Sequence, residues 1–167
     1  MSRSRRDLFP QYASGNITMV TAGVYATQGF EIGAMQGPTD RQFLVELIRF
    51  DCQPNFNPLA TSDLTYDINL YKGADQTAVE GLNVGNTLAM IKWDSEFTTS
   101  GHASEQGPHS YNMQSADGFG ILVPPGTFKI GYNSNVLTNI NWRVYYRFVE
   151  ATVEEYLGVV AQFTASS

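Results

Sequence analysis

Apolar and polar residues alternate along several short segments of the chain. Residues 64–70 read Leu-Thr-Tyr-Asp-Ile-Asn-Leu, and between residues 140 and 148 every second residue is apolar or aromatic. Successive side chains of a strand point to opposite faces, so this period of two places one face of each segment in a core and the other against solvent or a partner. Both segments are predicted strands.

Other segments have the composition of strands, with glycine or proline between them. The run 43–50 is apolar and too short for a helix, which favours a strand buried on both faces. Gly23 and the sequence Pro124-Pro125-Gly126 indicate turns, because proline fixes φ and glycine accepts positive φ. The further predicted strands are 16–21, 24–30, 87–93, 111–114, 119–123 and 127–132. The whole pattern predicts an all-β chain of about eight to ten short antiparallel strands in a sandwich or barrel.

Residues 152–163 match two patterns. The helical spacing i, i+3, i+4 and i+7 is met by Val153, Tyr156, Leu157 and Val160. A strand over the same residues would also line up apolar side chains on one face. The β-branched residues, Gly158 and the all-β chain before this segment favour the strand.

The chain is predicted to be one domain that follows a short arm. Residues 1–15 lack a regular pattern and are predicted to form a flexible N-terminal arm, while residues 16–167 form a single β-sandwich domain. A domain of this length buries roughly 70% of the surface that its unfolded chain exposes, so it needs no disulfide. Residues 72–86 and 94–110 are predicted loops, and the first could hold a helical turn near residues 76–80.

Charge is sparse and unevenly distributed. Charged residues make up 16% of the chain, and residues 8–167 hold 7 basic and 15 acidic side chains, a net charge of −8. Such an acidic body argues against groove binding of nucleic acid, which needs a concentrated basic face. Arg3, Arg5 and Arg6 are the candidate nucleic-acid contacts, in an arm that is weak for this purpose. The alternative for them is an ordinary solvated chain terminus. No segment reaches the roughly 18 apolar residues of a membrane-spanning helix.

No motif for catalysis, cofactor binding or metal binding is recognisable. His102 and His109 flank Glu105 without the spacing of a zinc site, and they fit surface histidines better. Cys52, the only cysteine, has no reactive signature around it and fits a small buried residue. A calcium site or a glycosidase pair would need several of the carboxylates to lie close together in space. The candidates are Asp63, Asp67, Asp75, Asp94 and Glu96, and we expect them to lie on solvated faces. We therefore predict that the chain is not an enzyme and has no cofactor or small-molecule substrate.

Tyrosines on polar strand faces are the more informative candidates. An aromatic ring with a hydroxyl group suits a protein interface or stacking on a sugar. Ordinary packing between strands is an equally good explanation. The residues concerned are Tyr71, Tyr111, Tyr132, Tyr145 and Tyr156.

The chain resembles the single jelly-roll coat proteins of small icosahedral viruses. The resemblance rests on the arginine-rich arm at residues 3–6, the domain of many short strands, and the run 142–148 that leads into residues 153–158. It implies an antiparallel β-sandwich, a jelly roll of about eight strands in two facing sheets. It also implies a capsid subunit of the virion that assembles through sheet edges and loops with copies of itself and with other capsid proteins.

This sequence departs from coat proteins that package genomes directly, because its arm is short and its body is acidic. The departure fits a subunit that lies over another layer, or assembly driven mainly by protein contacts. Two other functions suit the same sandwich. One is a carbohydrate-binding or receptor-binding module that uses exposed aromatic residues and loop carboxylates, and the other is a cytokine-like trimer.

Overall fold

The computed structural model describes residues 9–35, 41–55, 62–83, 86–95, 97–98, 101–102 and 108–164. In chain order the elements are β1 (Gln11–Thr18), β2 (Ala26–Ile32), β3 (Gln42–Pro54), β4 (Leu64–Tyr71), β5 (Thr87–Ser95), β6 (Phe97–Thr98), β7 (Gly101–His102), β8 (His109–Asn112), β9 (Ile121–Val123), β10 (Gly126–Ser134), β11 (Asn139–Ala151) and α1 (Val153–Thr164). No helix in this part of the chain is long and apolar enough to cross a membrane.

The strands form two antiparallel sheets and a small hairpin. The first sheet has the order β1-β11-β3-β8, and β9 also pairs with β3. The second sheet has the order β2-β10-β4-β5, and β6 pairs with β7. The pairing is nested, because β1 pairs with β11, β2 with β10, β3 with β8 and β9, and β4 with β5. A long hairpin that rolls up into two facing sheets has this topology, which is that of a jelly roll. The predicted fold class is confirmed.

The facing sides of the two sheets bury the alternating apolar residues. Trp142 of the first sheet lies 4.7 Å, between ring centroids, from Phe30 of the second, and Phe30 stacks on Phe128 at 5.6 Å. A side chain at Gly15 would come within 2.6 Å of the Trp142 ring, so glycine makes room for the indole. Burial of apolar area, worth roughly 25 cal/mol per Å², is the main stabilising contribution.

Only part of the apolar run 43–50 is buried on both of its faces. Leu44 to Leu47 are buried in succession, after which exposed and buried residues alternate towards Pro54. The pairing of β3 with β11 shifts between Tyr145 and Tyr146, which face Arg49 and Leu47, so Ile48 is an extra residue in β3. This bulge separates the two burial patterns.

One carboxylate lies fully buried at this place. Glu46 has no exposed surface, and its Oε2 atom accepts a hydrogen bond from Nε of Arg147 at 2.6 Å. Its Oε1 atom accepts from the backbone N–H of Gly120 at 2.7 Å. The Glu46 carboxylate therefore connects the chain before β9 to strand β11 in the centre of the first sheet. The sequence analysis did not single out Glu46, which sits within an apolar run.

In the described residues 72–83, a buried network of amide side chains takes the place of a helix. Asn69 donates from Nδ2 to Oε1 of Gln76 at 2.7 Å, and Gln76 donates to Asn86 and Thr87 at 3.1 Å each. The described residues between 76 and 80 form bends without a helical turn, so that prediction was wrong. Hydrogen bonds between side chains hold this segment, whereas a helix would use backbone hydrogen bonds.

The strand predicted over residues 152–163 is wrong, because this segment forms helix α1. The backbone N–H of Glu155 donates to Oγ1 of Thr152, and the backbone N–H of Thr152 donates to Oε2 of Glu155. This reciprocal pair is a capping box, which starts a helix despite the β-branched residues that follow. The helix has no fully buried residue, although Phe163 packs against the core.

The first strand begins earlier than the predicted arm boundary allows. Residues 11–15, assigned to the arm from the sequence, pair with β11 from Tyr146 to Trp142. Gly15, the last residue of the predicted arm, makes room for Trp142 in the fold. Residues 1–8, with Arg3, Arg5 and Arg6, lie outside the described residues.

Candidate interaction surface

The outer face of the first sheet is polar and carries an unusual group of side chains. Residues of β1, β11 and β3 that point away from the core include Ser14, Asn16, Asn141 and Gln53. Among them lies a group that we call the arginine–tyrosine cluster. Its members are Tyr12, Arg49, Asp51, Arg143 and Tyr145.

The cluster is held by stacking and by charge. The guanidinium carbon of Arg49 lies 4.4 Å from the centroid of the Tyr145 ring, and that of Arg143 lies 4.7 Å from the Tyr12 ring. Arg143 also donates a hydrogen bond to the Tyr145 hydroxyl at 3.2 Å, and Arg49 pairs with Asp51 at 2.9 Å. Cation–π contacts of this kind hold side chains that remain in contact with solvent.

Two register pairs build this geometry. Tyr145 faces Arg49 across β11 and β3, and Tyr12 faces Tyr145 across β1 and β11. The Arg143 hydrogen bond lowers the pKa of Tyr145, and the same contact raises the pKa of Arg143. The arginines thus remain charged, and the cluster presents fixed planar groups in a body whose net charge is negative.

Rigid tyrosines and arginines are the side chains that protein interfaces favour. The sequence analysis identified Tyr145 as a polar-face aromatic residue, and the alternation from residue 140 onward puts Arg143 on the same face. It did not find Tyr12 or Arg49. Only the pairing register of three strands brings these residues together, and that register is not visible in the sequence.

The histidine and cysteine candidates have structural surroundings. The His109 ring lies 5.7 Å from Trp93 and 6.0 Å from Tyr66, between ring centroids, at the side where the two sheets meet. Cys52 is buried with its Sγ atom 3.6 Å from the Tyr66 hydroxyl, and burial raises its pKa to about 12. Its thiol is therefore protonated at neutral pH. His102 lies in β7, while Glu105 falls outside the described residues.

The described carboxylate candidates lie in or near the paired strands β4 and β5. Asp75 forms an ion pair with Lys129 at 2.6 Å. Asp67 faces Lys92 across β4 and β5, and partial burial raises its pKa. Within the ranges that the structure describes, no group of three or more His, Cys, Asp or Glu side chains could hold a metal ion. Glu96 lies outside these ranges.

The predicted tyrosines divide into two groups. Tyr71 and Tyr132 are fully buried, and the Tyr71 hydroxyl exchanges hydrogen bonds with Tyr25 and Thr27 at 3.3 and 3.1 Å. These two residues pack inside the protein and are not available to a partner. Tyr111, Tyr145 and Tyr156 keep partial exposure.

Comparison with known proteins gives a likeness in structure alone. No family model matches the chain, and no curated protein matches its sequence. Among solved structures, the VP1 protein of New Jersey polyomavirus aligns with a TM-score of 0.50 and 5% identity, over 86% of this chain and all of that one.

Two other solved structures are similar with lower scores. VP1 of trichodysplasia spinulosa-associated polyomavirus in complex with 3'-sialyllactose has a TM-score of 0.49 and 5% identity, over 85% of this chain and 95% of that one. The VP1 pentamer of human polyomavirus 7 has a TM-score of 0.46 and 10% identity, over 86% and 96%. The likeness to New Jersey polyomavirus VP1, at a TM-score of 0.50, agrees with the jelly-roll β-sandwich that the strand order defines. The expected resemblance is confirmed for the fold.

Proposed function

We propose that this chain is a viral structural protein, a capsid subunit of the virion that assembles with copies of itself. The observation that supports this most is the nested jelly roll, which aligns with a polyomavirus VP1 over the whole of that chain. The proposed role is structural rather than catalytic. Its working parts are the loops and edges of the sandwich.

Exposed apolar residues at one end of the sandwich support self-association. The β1–β2 turn exposes Val20 and Val24 by 90% and 55%, and the β10–β11 turn exposes Leu137 by 65%. The two turns are joined by a hydrogen bond from the Gly23 N–H to the Ser134 carbonyl at 2.7 Å. We call Val20, Val24 and Leu137 the apolar end patch. Exposed apolar side chains on neighbouring turns are candidates for a protein contact site.

Arg3, Arg5 and Arg6 would contribute a weak contact to nucleic acid at most. They precede β1, whose Tyr12 belongs to the arginine–tyrosine cluster, but residues 8–167 have a net charge of −8. Self-contacts and contacts to other capsid proteins would therefore dominate assembly, since phosphate binding depends on concentrated positive charge.

Electron microscopy of the purified chain tests the proposal. We expect rings or closed shells in preparations of the natural sequence. The double variant Val20→Ser/Leu137→Ser removes apolar contact area and should reduce the fraction assembled, because burial of that area favours association. Leu82→Ser, at an exposed residue of the segment 72–86, is the control. Absence of any assembly at high concentration and varied salt would reject the proposal.

A further inference from the structure

The edges of the two sheets are protected to different degrees. An edge strand has a row of free backbone N–H and C=O groups that can pair with another chain, and proteins block such edges with short strands, charges, proline or bulges. One edge of the first sheet consists of β8 and β9, which are only 4 and 3 residues long. The edge strand β5 of the second sheet carries the exposed charges Lys92 and Asp94.

Strand β1, the other edge of the first sheet, lacks these protections. It has 8 residues, Gln-Tyr-Ala-Ser-Gly-Asn-Ile-Thr, with no charge and no proline. Its ladder with β11 runs from Gln11 to Thr18 without a register shift. Within the part of the chain that the structure describes, β11 is the only strand that pairs with it. β1 therefore offers an unbroken, uncharged length of backbone.

Residues beside this edge also favour a protein partner. Phe9, just before β1, is 90% exposed, and Tyr12 within β1 is 59% exposed. Tyr12 is held in place by the Arg143 guanidinium. Aromatic residues and arginine contribute a large share of binding energy at protein interfaces. The edge strand β2 of the second sheet, by contrast, carries the exposed acid Glu31.

We propose that β1 pairs antiparallel with β1 of a second copy, which joins two first sheets into one across a two-fold axis. A two-fold contact needs a self-complementary surface, and an uncharged strand edge meets that need. This inference names a contact for the proposed self-assembly and rests on that function.

The pleat restricts where the axis can lie. A residue on the outer face must oppose another outer-face residue, so the axis passes through a residue and not between two residues. In the middle of β1 this leaves Ser14 or Gly15. With the axis at Ser14, the two Ser14 side chains are directly opposite. With the axis at Gly15, Ser14 faces Asn16 of the second copy.

Cysteine crosslinking tests this contact. Ser14→Cys, and the double variant Ser14→Cys/Asn16→Cys, should form covalent dimers under mild oxidation, because pairing brings the thiols together at high effective concentration. The matched control is Ser110→Cys, at an exposed position on the opposite edge strand β8 of the same sheet. We expect at least one variant to crosslink about tenfold faster than the control or more.

A charge variant gives an independent measurement. Ser14→Lys should shift a species of twice the chain mass of 18.5 kDa towards the single chain, because like charges across paired strands repel. Ser110→Lys should leave the mass unchanged, and circular dichroism of both should match the natural protein.

The proposal is overturned if neither cysteine variant crosslinks faster than Ser110→Cys, whatever the lysine variant does. Closed shells without crosslinking at β1 would keep the capsid function and reject this contact. Crosslinked dimers that never form larger assemblies would keep the contact and reject the capsid function.

Discussion

At the scale of single residues, the buried ion pair of Glu46 and Arg147 is the least expected feature. A buried charge loses its hydration, and the loss is offset only while its partners remain in place. The partners of Glu46 include the Arg147 side chain and the Gly120 backbone. A side chain at Gly120 would meet the Leu47 carbonyl oxygen at 2.0 Å, so the chain can approach Glu46 only as glycine.

Glu46→Ala should therefore reduce the free energy of unfolding by about 3–5 kcal/mol, because it removes the carboxylate that pairs with the Arg147 charge. Asp75→Ala breaks the Lys129 pair, whose Asp75 side chain is 80% exposed. That control should cost less than about 1 kcal/mol. Urea unfolding of the two variants measures both values, and equal losses would contradict the assignment.

The Cys52 thiol makes the free energy of unfolding depend on pH in the alkaline range. Burial raises its pKa from 9.0 to about 12, so the folded protein keeps a proton that the unfolded chain releases. Its contribution to stability is complete below pH 9 and is lost as the pH rises towards 12. Burial also raises the pKa of Tyr66 and Tyr132, which adds to the same trend.

We expect the free energy of unfolding to fall between pH 9 and pH 12, and Cys52→Ala to make that fall smaller. Urea titrations at several pH values in this range measure the slope for both proteins. An identical slope in the variant would show that the Cys52 thiol does not titrate in this way.

The sequence predicts the face on which a residue lies where strand alternation alone determines it. Arg143 and Tyr145 fall on the polar face of the strand predicted from residue 140 onward, and they lie on the outer face of β11. Tyr12 and Arg49 could not be placed, because their positions depend on neighbours far away in the chain. Burial of Tyr71 and Tyr132 was likewise hidden, because Tyr132 belongs to the core between the two sheets and the Tyr71 hydroxyl pairs with Tyr25 and Thr27, which are distant in the sequence.

At the scale of elements, the capping box decides the state of the C-terminal segment. The Thr152 and Glu155 side chains each satisfy a backbone N–H at the start of α1. Because the helix has no buried residue, few tertiary contacts compensate for a lost cap.

Thr152→Ala should weaken the helix by about 0.5–2 kcal/mol without unfolding the sandwich. Hydrogen exchange should show lost protection over residues 153–164 and unchanged protection in β3 and β11. Thr164→Ala, at the other end of the helix, should leave most of this protection in place. Loss of protection throughout the first sheet would mean that the helix is part of the cooperative core.

Strands were predictable and the helix was not, for a physical reason. Alternation reports burial on one face and is visible in β4 and β11, whose predicted ranges agree closely with the structure. In residues 152–163 the β-branched residues and Gly158 were given too much weight. The decisive signal, Thr152 followed by Glu155 three residues later, is readable in the sequence as a capping box.

At the scale of the whole molecule, the nested pairing joins strands from both ends of the described chain in one sandwich. First and last strands are neighbours, so the first sheet is complete only when residues 11–18 pair with residues 139–146. That topology follows from non-local pairing and could be approached from the sequence only through the resemblance to coat proteins. In our proposals, the β1 edge and the apolar end patch are the surfaces that contact copies of the chain.

Light scattering coupled to size-exclusion chromatography, over a range of protein and salt concentrations, tests self-association most directly. The account predicts masses at whole multiples of 18.5 kDa that grow with protein concentration. A mass of 18.5 kDa under every condition would contradict it.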